Sequence, residues 1–243
     1  MQNRVIPVLL YKNEGLYKGI RFSNYKYVGD VMNAIRVFSD KEVDELILFD
    51  IYATIKKKEP NIELIQRIAE ECYMPFAIGG GISSLEHIKM VLRAGAEKVI
   101  INTAAVYNPE FIQYASNTFG SSTIVVSVDY KKNIFGKNIV YTHCGTKKTK
   151  YTVEEYIVII EKMGAGEIII NSIDRDGTGL GIDLNLVYNV ANKLSIPLVA
   201  SGGVGDKSHI NELFNKTSAS AVAVGSFFIF TGKHRSVLLS YIK

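Results

Sequence analysis

Eight short, dense, β-branched runs recur along the chain at wide and fairly even spacing, at residues 5–10, 46–50, 76–78, 98–101, 124–129, 167–171, 197–201 and 221–224. Their hydrophobicity is nearly continuous rather than alternating, as strands buried on both faces require. Helical patterns lie between them, at residues 62–72, 84–93, 110–119, 153–162, 184–193 and 207–215. Asn108-Pro109-Glu110 and Ser83 ahead of Leu85-Glu86 read as helix starts, and residues 235–242 as a last short helix. Eight strands alternating with helices in 243 residues predict an α/β fold, a (β/α)8 TIM barrel, forming one domain over residues 1–243. The competing architecture, a doubly wound open sheet, needs an edge strand and a switch point. No Gly-x-Gly-x-x-Gly follows the first run.

An internal repeat sharpens the expectation. Residues 45–51 (ELILFDI) resemble residues 167–173 (EIIINSI), offset by 122. Ile78-Gly79-Gly80-Gly81-Ile82 resembles Ala200-Ser201-Gly202-Gly203-Val204, and Val99-Ile100-Ile101-Asn102-Thr103 resembles Val222-Ala223-Val224-Gly225-Ser226, at offsets of 122 to 123. That is half the chain, so the barrel is read as two similar half-barrels.

Composition limits the function classes. The 47% apolar and 21% charged residues are those of a globular protein. Two cysteines, Cys72 and Cys144, make no disulfide framework and point to a reducing compartment. The net charge of +4 is modest, and the densest basic cluster, Lys56-Lys57-Lys58, is followed at once by Glu59. A nucleic-acid partner is therefore not expected, while phosphorylated or acidic small molecules are favoured near the surface. The apolar run at residues 5–11 is broken by Pro7 and is too short for a signal peptide or a membrane span. The chain is read as soluble and cytoplasmic, with no membrane partner. His87, His143, His209 and His234 lie on different elements without metal spacing, so no metal or cofactor is expected.

Each half of the chain carries a candidate phosphate cup. A strand ends in a glycine turn (Gly79-Gly80-Gly81; Gly202-Gly203), and 23 residues later the next strand ends in a small polar pair (Asn102-Thr103; Gly225-Ser226). Neighbouring strands bring such turns together at the C-terminal barrel face, where backbone N–H groups and a hydroxyl bind a phosphate dianion. The alternative is glycines that only make tight turns. Two cups on opposite sides imply an elongated bisphosphate.

Asp129 closes the fifth strand, so its carboxylate points towards the mouth as a general acid or base; the alternative is an ion pair with Lys131 or Lys132. Asp50, ending the second strand, allows a weaker version of the same reading. Asp174-Arg175-Asp176-Gly177-Thr178-Gly179 follows the sixth strand and is either turn chemistry or a substrate contact through Asp174 or Asp176 and the Gly177 amide. Residues 13–27 form a long first loop of the kind that closes over substrate, in which Lys18 either contacts substrate or is solvated. His143 falls in a mouth loop, and Cys144 beside it is a small filler.

These stretches resemble the cyclase subunit of imidazole glycerol phosphate synthase, the HisF family, over nearly the whole chain. The resemblance rests on Arg4-Val5-Ile6-Pro7 with Lys18-Gly19, Asp44-Glu45-Leu46 through Asp50-Ile51, Gly79-Gly80-Gly81-Ile82, and residues 93–106. It continues through Val128-Asp129, Tyr141-Thr142-His143, Asp174-Arg175-Asp176-Gly177-Thr178 and Ala200-Ser201-Gly202-Gly203. The related half-barrel isomerase shares the cups but fits the Asp-Arg-Asp-Gly-Thr and Thr-His stretches less well.

The resemblance implies a glutaminase partner (HisH-like) whose ammonia crosses the barrel and reacts at the upper mouth with a bisphosphorylated formimino ribonucleotide. It implies two acid/base aspartates, ending the first and fifth strands. Asp129 matches the second, and Leu10 stands where the first belongs. It also implies an ammonia gate at Arg4, Glu45, Lys98 and Glu167, for which the alternative is a stabilising salt-bridge cluster. Leu10 leaves three functions open. The first is a cyclase with a substitute acid. The second is a paralogue handing ammonia to a third protein, an amidotransferase that makes an acetamidino group on a surface sugar. The third is a phosphosugar-binding scaffold without turnover.

Overall fold

Along the first strand the side chains divide with a period of two. Ile6 and Val8 enter one buried apolar cluster and Val5 and Leu9 another. The same division holds for Val125 against Ile124 and Val126, and for Ile169 against Ile168 and Ile170. A strand with two apolar faces needs cover on both sides, and a closed barrel ringed by helices supplies it.

The computed structural model describes residues 3–231 and 236–241. In chain order its strands are β1 (Arg4–Lys12), β2 (Gly15–Ile20), β3 (Ser23–Gly29), β4 (Leu46–Asp50), β5 (Phe76–Gly79), β6 (Lys98–Ile101) and β7 (Ile124–Lys132). They continue with β8 (Asn138–Thr142), β9 (Lys147–Thr152), β10 (Glu167–Ser172), β11 (Leu198–Ser201), β12 (Ala221–Val224), β13 (Phe230–Thr231) and β14 (Ser236–Val237). The helices are α1 (Val31–Asp40), α2 (Ala53–Lys56), α3 (Ile62–Glu71), α4 (Leu85–Arg93), α5 (Thr103–Tyr107), α6 (Glu110–Phe119), α7 (Val153–Lys162), α8 (Leu184–Ala191), α9 (Lys207–Lys216) and α10 (Ser226–Ile229).

Ladders join β10, β11, β12, β1, β4, β5, β6 and β7 in that order, all parallel, and a further parallel pairing of β7 with β10 closes the cylinder. This is the (β/α)8 barrel, with every expected barrel strand in place. Two antiparallel extensions stand on it: β2 and β3 continue from β1, and β8 and β9 from β7.

Three local expectations are corrected. Residues 13–27 are not an irregular loop, since most of them form the β2–β3 hairpin, which pairs through β2 with β1 and is anchored in the core by Leu16. The cap of α4 is Ser84, not Ser83, because the Ser84 hydroxyl accepts from the His87 N–H at 3.1 Å. The tail is not helical where it is described: Ser236–Val237 pairs with Phe230–Thr231. Arg235, Ile242 and His234 lie outside the described residues. Tyr241 ties the tail to the lower rim, its hydroxyl donating to the Val5 carbonyl at 3.0 Å.

Capping fixes the helix starts. Thr152 and Glu155 form a reciprocal capping box at α7, and Asp30, Asn61 and Asp183 accept from the third residues of α1, α3 and α8. Ile169→Ala, inside the barrel at 3% exposure, is expected to cost about 2–5 kcal/mol in urea unfolding. Tyr73→Ala, at 88% exposure, is expected to stay within about 0.5 kcal/mol of the wild type.

Candidate active site

Strand order decides which groups meet at the upper mouth. Around the cylinder β5 and β6 lie opposite β11 and β12, and β1 lies opposite β7. The two glycine turns therefore face one another, and so do Leu10 and Asp129.

At the first turn, Gly80 and Gly81 sit beside Asn102 and Thr103, which end β6 and open α5. Gly80 holds φ +110°, and a Cβ there would stand 2.3 Å from the Asp50 carbonyl oxygen, so only glycine fits. At the second, Gly202 and Gly203 sit beside Gly225 and Ser226, which end β12 and open α10. A Cβ on Gly203 would stand 2.1 Å from the Gly181 carbonyl oxygen. All eight residues line one cleft of about 1140 Å³, including the space open at its mouth.

Asp129, Lys18, Asp176 and Gly177 line the same cleft, as does Leu10. Burial raises the Asp129 carboxyl to about 7; hydrogen bonds from Asn171 and Ser127 pull against this, and the negative charge of Asp176 adds to it. Asn102 Nδ2 donates to Asp129 Oδ2 at 3.3 Å and to the Ser127 carbonyl at 2.9 Å. The ion-pair alternative for Asp129 is not what the structure shows for Lys131, whose Nζ donates to the Gly145 carbonyl at 2.9 Å.

Lys18 is buried on β2 rather than solvated. Its Nζ donates to the Val8 carbonyl at 2.6 Å, and burial lowers its pKa to about 8 against the opposing pull of Asp176. Burial raises the Asp176 carboxyl, with Lys18 and the Phe22 N–H opposing. The hairpin is pinned over this corner: Arg21 N–H donates to the Asp176 carbonyl at 2.9 Å, and a Cβ on Gly177 would stand 2.2 Å from the Gly19 carbonyl oxygen.

Other candidates separate here. Asp174 does not line the cleft; its Oδ2 accepts from the Lys132 N–H at 2.9 Å. Asp50 reaches the cleft wall, but its Oδ1 accepts from the Tyr52 and Ala53 N–H groups and so organises the turn after β4. Burial pushes the Cys144 thiol up to about 12, which leaves it protonated and unreactive at neutral pH. The His143 N–H donates to Thr103 Oγ1 at 3.2 Å. Asn171, Ser127 and Ser201 also line the cleft and were not singled out from the sequence. Counting by two from Glu167 along β10 reaches Ile169 and then Asn171, and that count is the signal that finds it.

At the opposite end of the barrel, Arg4 donates to both Glu45 and Glu167, while Lys98 Nζ reaches Glu45 Oε1 and Glu167 Oε2, each at 2.9 Å. Two cations and two anions alternate in a closed ring. Between this ring and the mouth the interior is apolar, built from residues such as Ile6, Ile47, Val125 and Ile169.

The sequence pattern of the family described as histidine biosynthesis protein matches residues 4–235. The chain belongs to this family. Within it, the chain is 48% identical over 241 residues to a Pseudomonas aeruginosa protein provisionally named imidazole glycerol phosphate synthase subunit hisF2, covering 99% of this chain and 96% of that one. It is 42% identical over 242 residues to a provisionally named HisF subunit from Leptospira borgpetersenii, covering 99% and 95%. It is 38% identical over 228 residues to the imidazole glycerol phosphate synthase subunit HisF of Streptococcus sanguinis, covering 94% and 90%. The HisF-like resemblance read from the sequence is thus borne out. No helix among the described residues is long and apolar enough to cross a membrane.

The raised Asp129 carboxyl predicts how stability depends on pH. An unfolded aspartate releases its proton near pH 4, while the folded one keeps it to about pH 7. Between these values the folded state binds more protons, so wild-type stability falls as pH rises. Asp129→Asn is expected to gain on the wild type across that window, by up to about 4 kcal/mol above it. Parallel urea titrations from pH 4 to pH 8 check this; identical pH slopes would refute it.

Proposed function

We propose that this protein is a HisF-type subunit of a glutamine amidotransferase of the imidazole glycerol phosphate synthase kind. A glutaminase docks on the lower face and a phosphorylated ligand occupies the upper mouth. The observation that carries the reading is the stack of layers in one barrel: a closed charged ring below, an apolar interior, and two facing glycine cups with an aspartate above. Neutral ammonia crosses an apolar interior at low cost, whereas ammonium loses its hydration there. The ring of Arg4, Glu45, Lys98 and Glu167 is the gate through which ammonia enters. Gly80, Gly81, Asn102 and Thr103 hold one phosphate. Gly177, Gly202, Gly203, Gly225 and Ser226 hold the other, with Lys18 and Asp176 beside them.

Asp129 is the acid/base group. Near neutral pH it exchanges a proton with little bias, as a general acid or base should. Leu10 across the mouth neither donates nor accepts a proton, and loss of one partner of an acid/base pair costs about 10²–10⁴ in rate. The cyclase step is therefore weak in this chain. Leu10 also favours a second reading, in which the barrel hands ammonia to a third protein, a sugar amidotransferase that builds an acetamidino group.

Turnover of the formimino ribonucleotide with free ammonium salt tests the mouth alone, because it bypasses the glutaminase. Leu10→Asp is expected to exceed the wild type by at least about 100-fold; robust wild-type turnover would overturn the role given to Leu10. Charge reversal at Lys98 is expected to weaken coupling to the glutaminase while leaving turnover with free ammonium unchanged. Equal loss in both assays would make the ring merely structural.

A further inference from the structure

The turn between β7 and β8 displays two large apolar side chains to solvent, Ile134 at 93% exposure and Phe135 at 81%. The turn itself is well built. Asn133 Oδ1 accepts from the Phe135 N–H at 3.0 Å and from the Lys137 N–H at 2.9 Å, and the Asn133 carbonyl accepts from the Gly136 N–H at 2.9 Å. These bonds use the Asn133 side chain and backbone groups, so the turn does not need apolar residues at its tip.

The hairpin stands on the rim of the upper mouth, beyond the parallel ladder of β7 and β10, which ends at Tyr130 and Ser172. Other exposed apolar side chains share that rim: Tyr27 on β3, Ile55 in α2 after β4, Tyr107 at the end of α5 after β6, and Leu180 after β10. Among the described residues the connections after β11 and β12 add none. The apolar rim is thus an arc, open on the side of the second glycine turn. Large apolar groups gathered around an opening and set among charges mark an interaction surface.

The charges on this rim are of one sign. Residues 130–152 hold six lysines and no acidic residue. Lys131 is engaged by the Gly145 carbonyl, and the other five are exposed. Asp174 and Glu155, the acids that reach this hairpin sheet, accept from the backbone N–H groups of Lys132 and Thr152. Residues 56–58 add three exposed lysines beside Ile55. Apolar anchors in a basic field complement an acidic partner. A second copy of this chain would set lysine against lysine, and the lysines of the edge strand β9 guard it against sheet pairing. An element that lies in a bilayer gathers its apolar residues on one face, whereas these are spread around a mouth.

We propose that the upper rim is a docking surface for an acidic protein that accepts ammonia at the mouth, with Ile134 and Phe135 as its apolar anchors. This rests on the reading in which ammonia passes to a third protein, and adds where that protein sits and what its face carries. The gap in the arc over β11 and β12 leaves a side from which a ligand reaches the cleft while the partner is seated.

Calorimetry with the purified acetamidino-forming sugar amidotransferase of the same organism tests the surface. The double variant Ile134→Ser, Phe135→Ser is expected to weaken the complex about tenfold or more, and to leave coupling to the glutaminase within about twofold, since that partner docks at the far end of the barrel. Unchanged affinity for the amidotransferase overturns the proposal, and so does equal loss of both partners. Phe135→Ala carries the same expectation and replaces the double variant if that one does not fold. Raising sodium chloride from about 0.05 M to about 0.5 M is expected to weaken the wild-type complex at least about threefold; binding indifferent to salt overturns the acidic character of the partner. Suppose instead that the double variant keeps the amidotransferase but loses self-association, or binding to vesicles of phosphatidylcholine and phosphatidylglycerol. The rim then has another occupant, and the proposal is overturned. Wild-type protein that does not bind the amidotransferase removes the third-protein reading, and the proposal falls with it.

Discussion

Closure of β7 against β10 is the constraint on which the rest depends. A sheet that returns on itself has no edge to protect, and it converts the period-two alternation of each strand into an inside and an outside. Outward residues meet helices; inward residues stack in layers. Because the strands are parallel, position along a strand sets height in the barrel. Arg4, Glu45, Lys98 and Glu167 open their strands and form the floor. Asn102, Asp129 and Asn171 stand at or near the upper limit of the barrel ladders and form the ceiling. The apolar residues between them keep the two polar layers apart without any further device.

The mouth is symmetric in its backbone and asymmetric in its side chains. Glycine turns, which the half-barrel repeat duplicates, recur on both sides. The carboxylate that the resemblance leads one to expect on each side exists only at Asp129, clasped by amides from the strands on either flank. Burial raises the pKa of that carboxyl, while Leu10, which faces it across the mouth, carries no titratable group.

Most of the architecture was legible in the sequence because doubly buried strands need continuous apolar runs, and each of the eight did become a barrel strand. The β2–β3 and β8–β9 hairpins were not, since residues 23–29 and 147–152 are largely exposed and carry no continuous apolar run. In the site, the cups were legible because their spacing repeats. The difference between Asp174 and Asp176 was not, as both sit in one turn and only the path of the chain over Gly19 sends one inward. Burial of Lys18 was equally hidden, being set by a hairpin that local pattern did not announce. Asn171 escaped notice because a lone asparagine at a strand end looks like a turn residue until the strand is counted from its charged start.

The facing cups have a consequence for direction. A rod with a phosphate at each end could enter a two-fold mouth either way round, and duplicated backbone turns do nothing to choose. Asp129 and its amide neighbours on one wall, against the side chains of Leu10 and Phe49 on the other, remove that degeneracy. On the proposed reading, the repeated turns grip the ligand at both ends and the unequal walls supply polarity, so that a long ligand has a head and a tail.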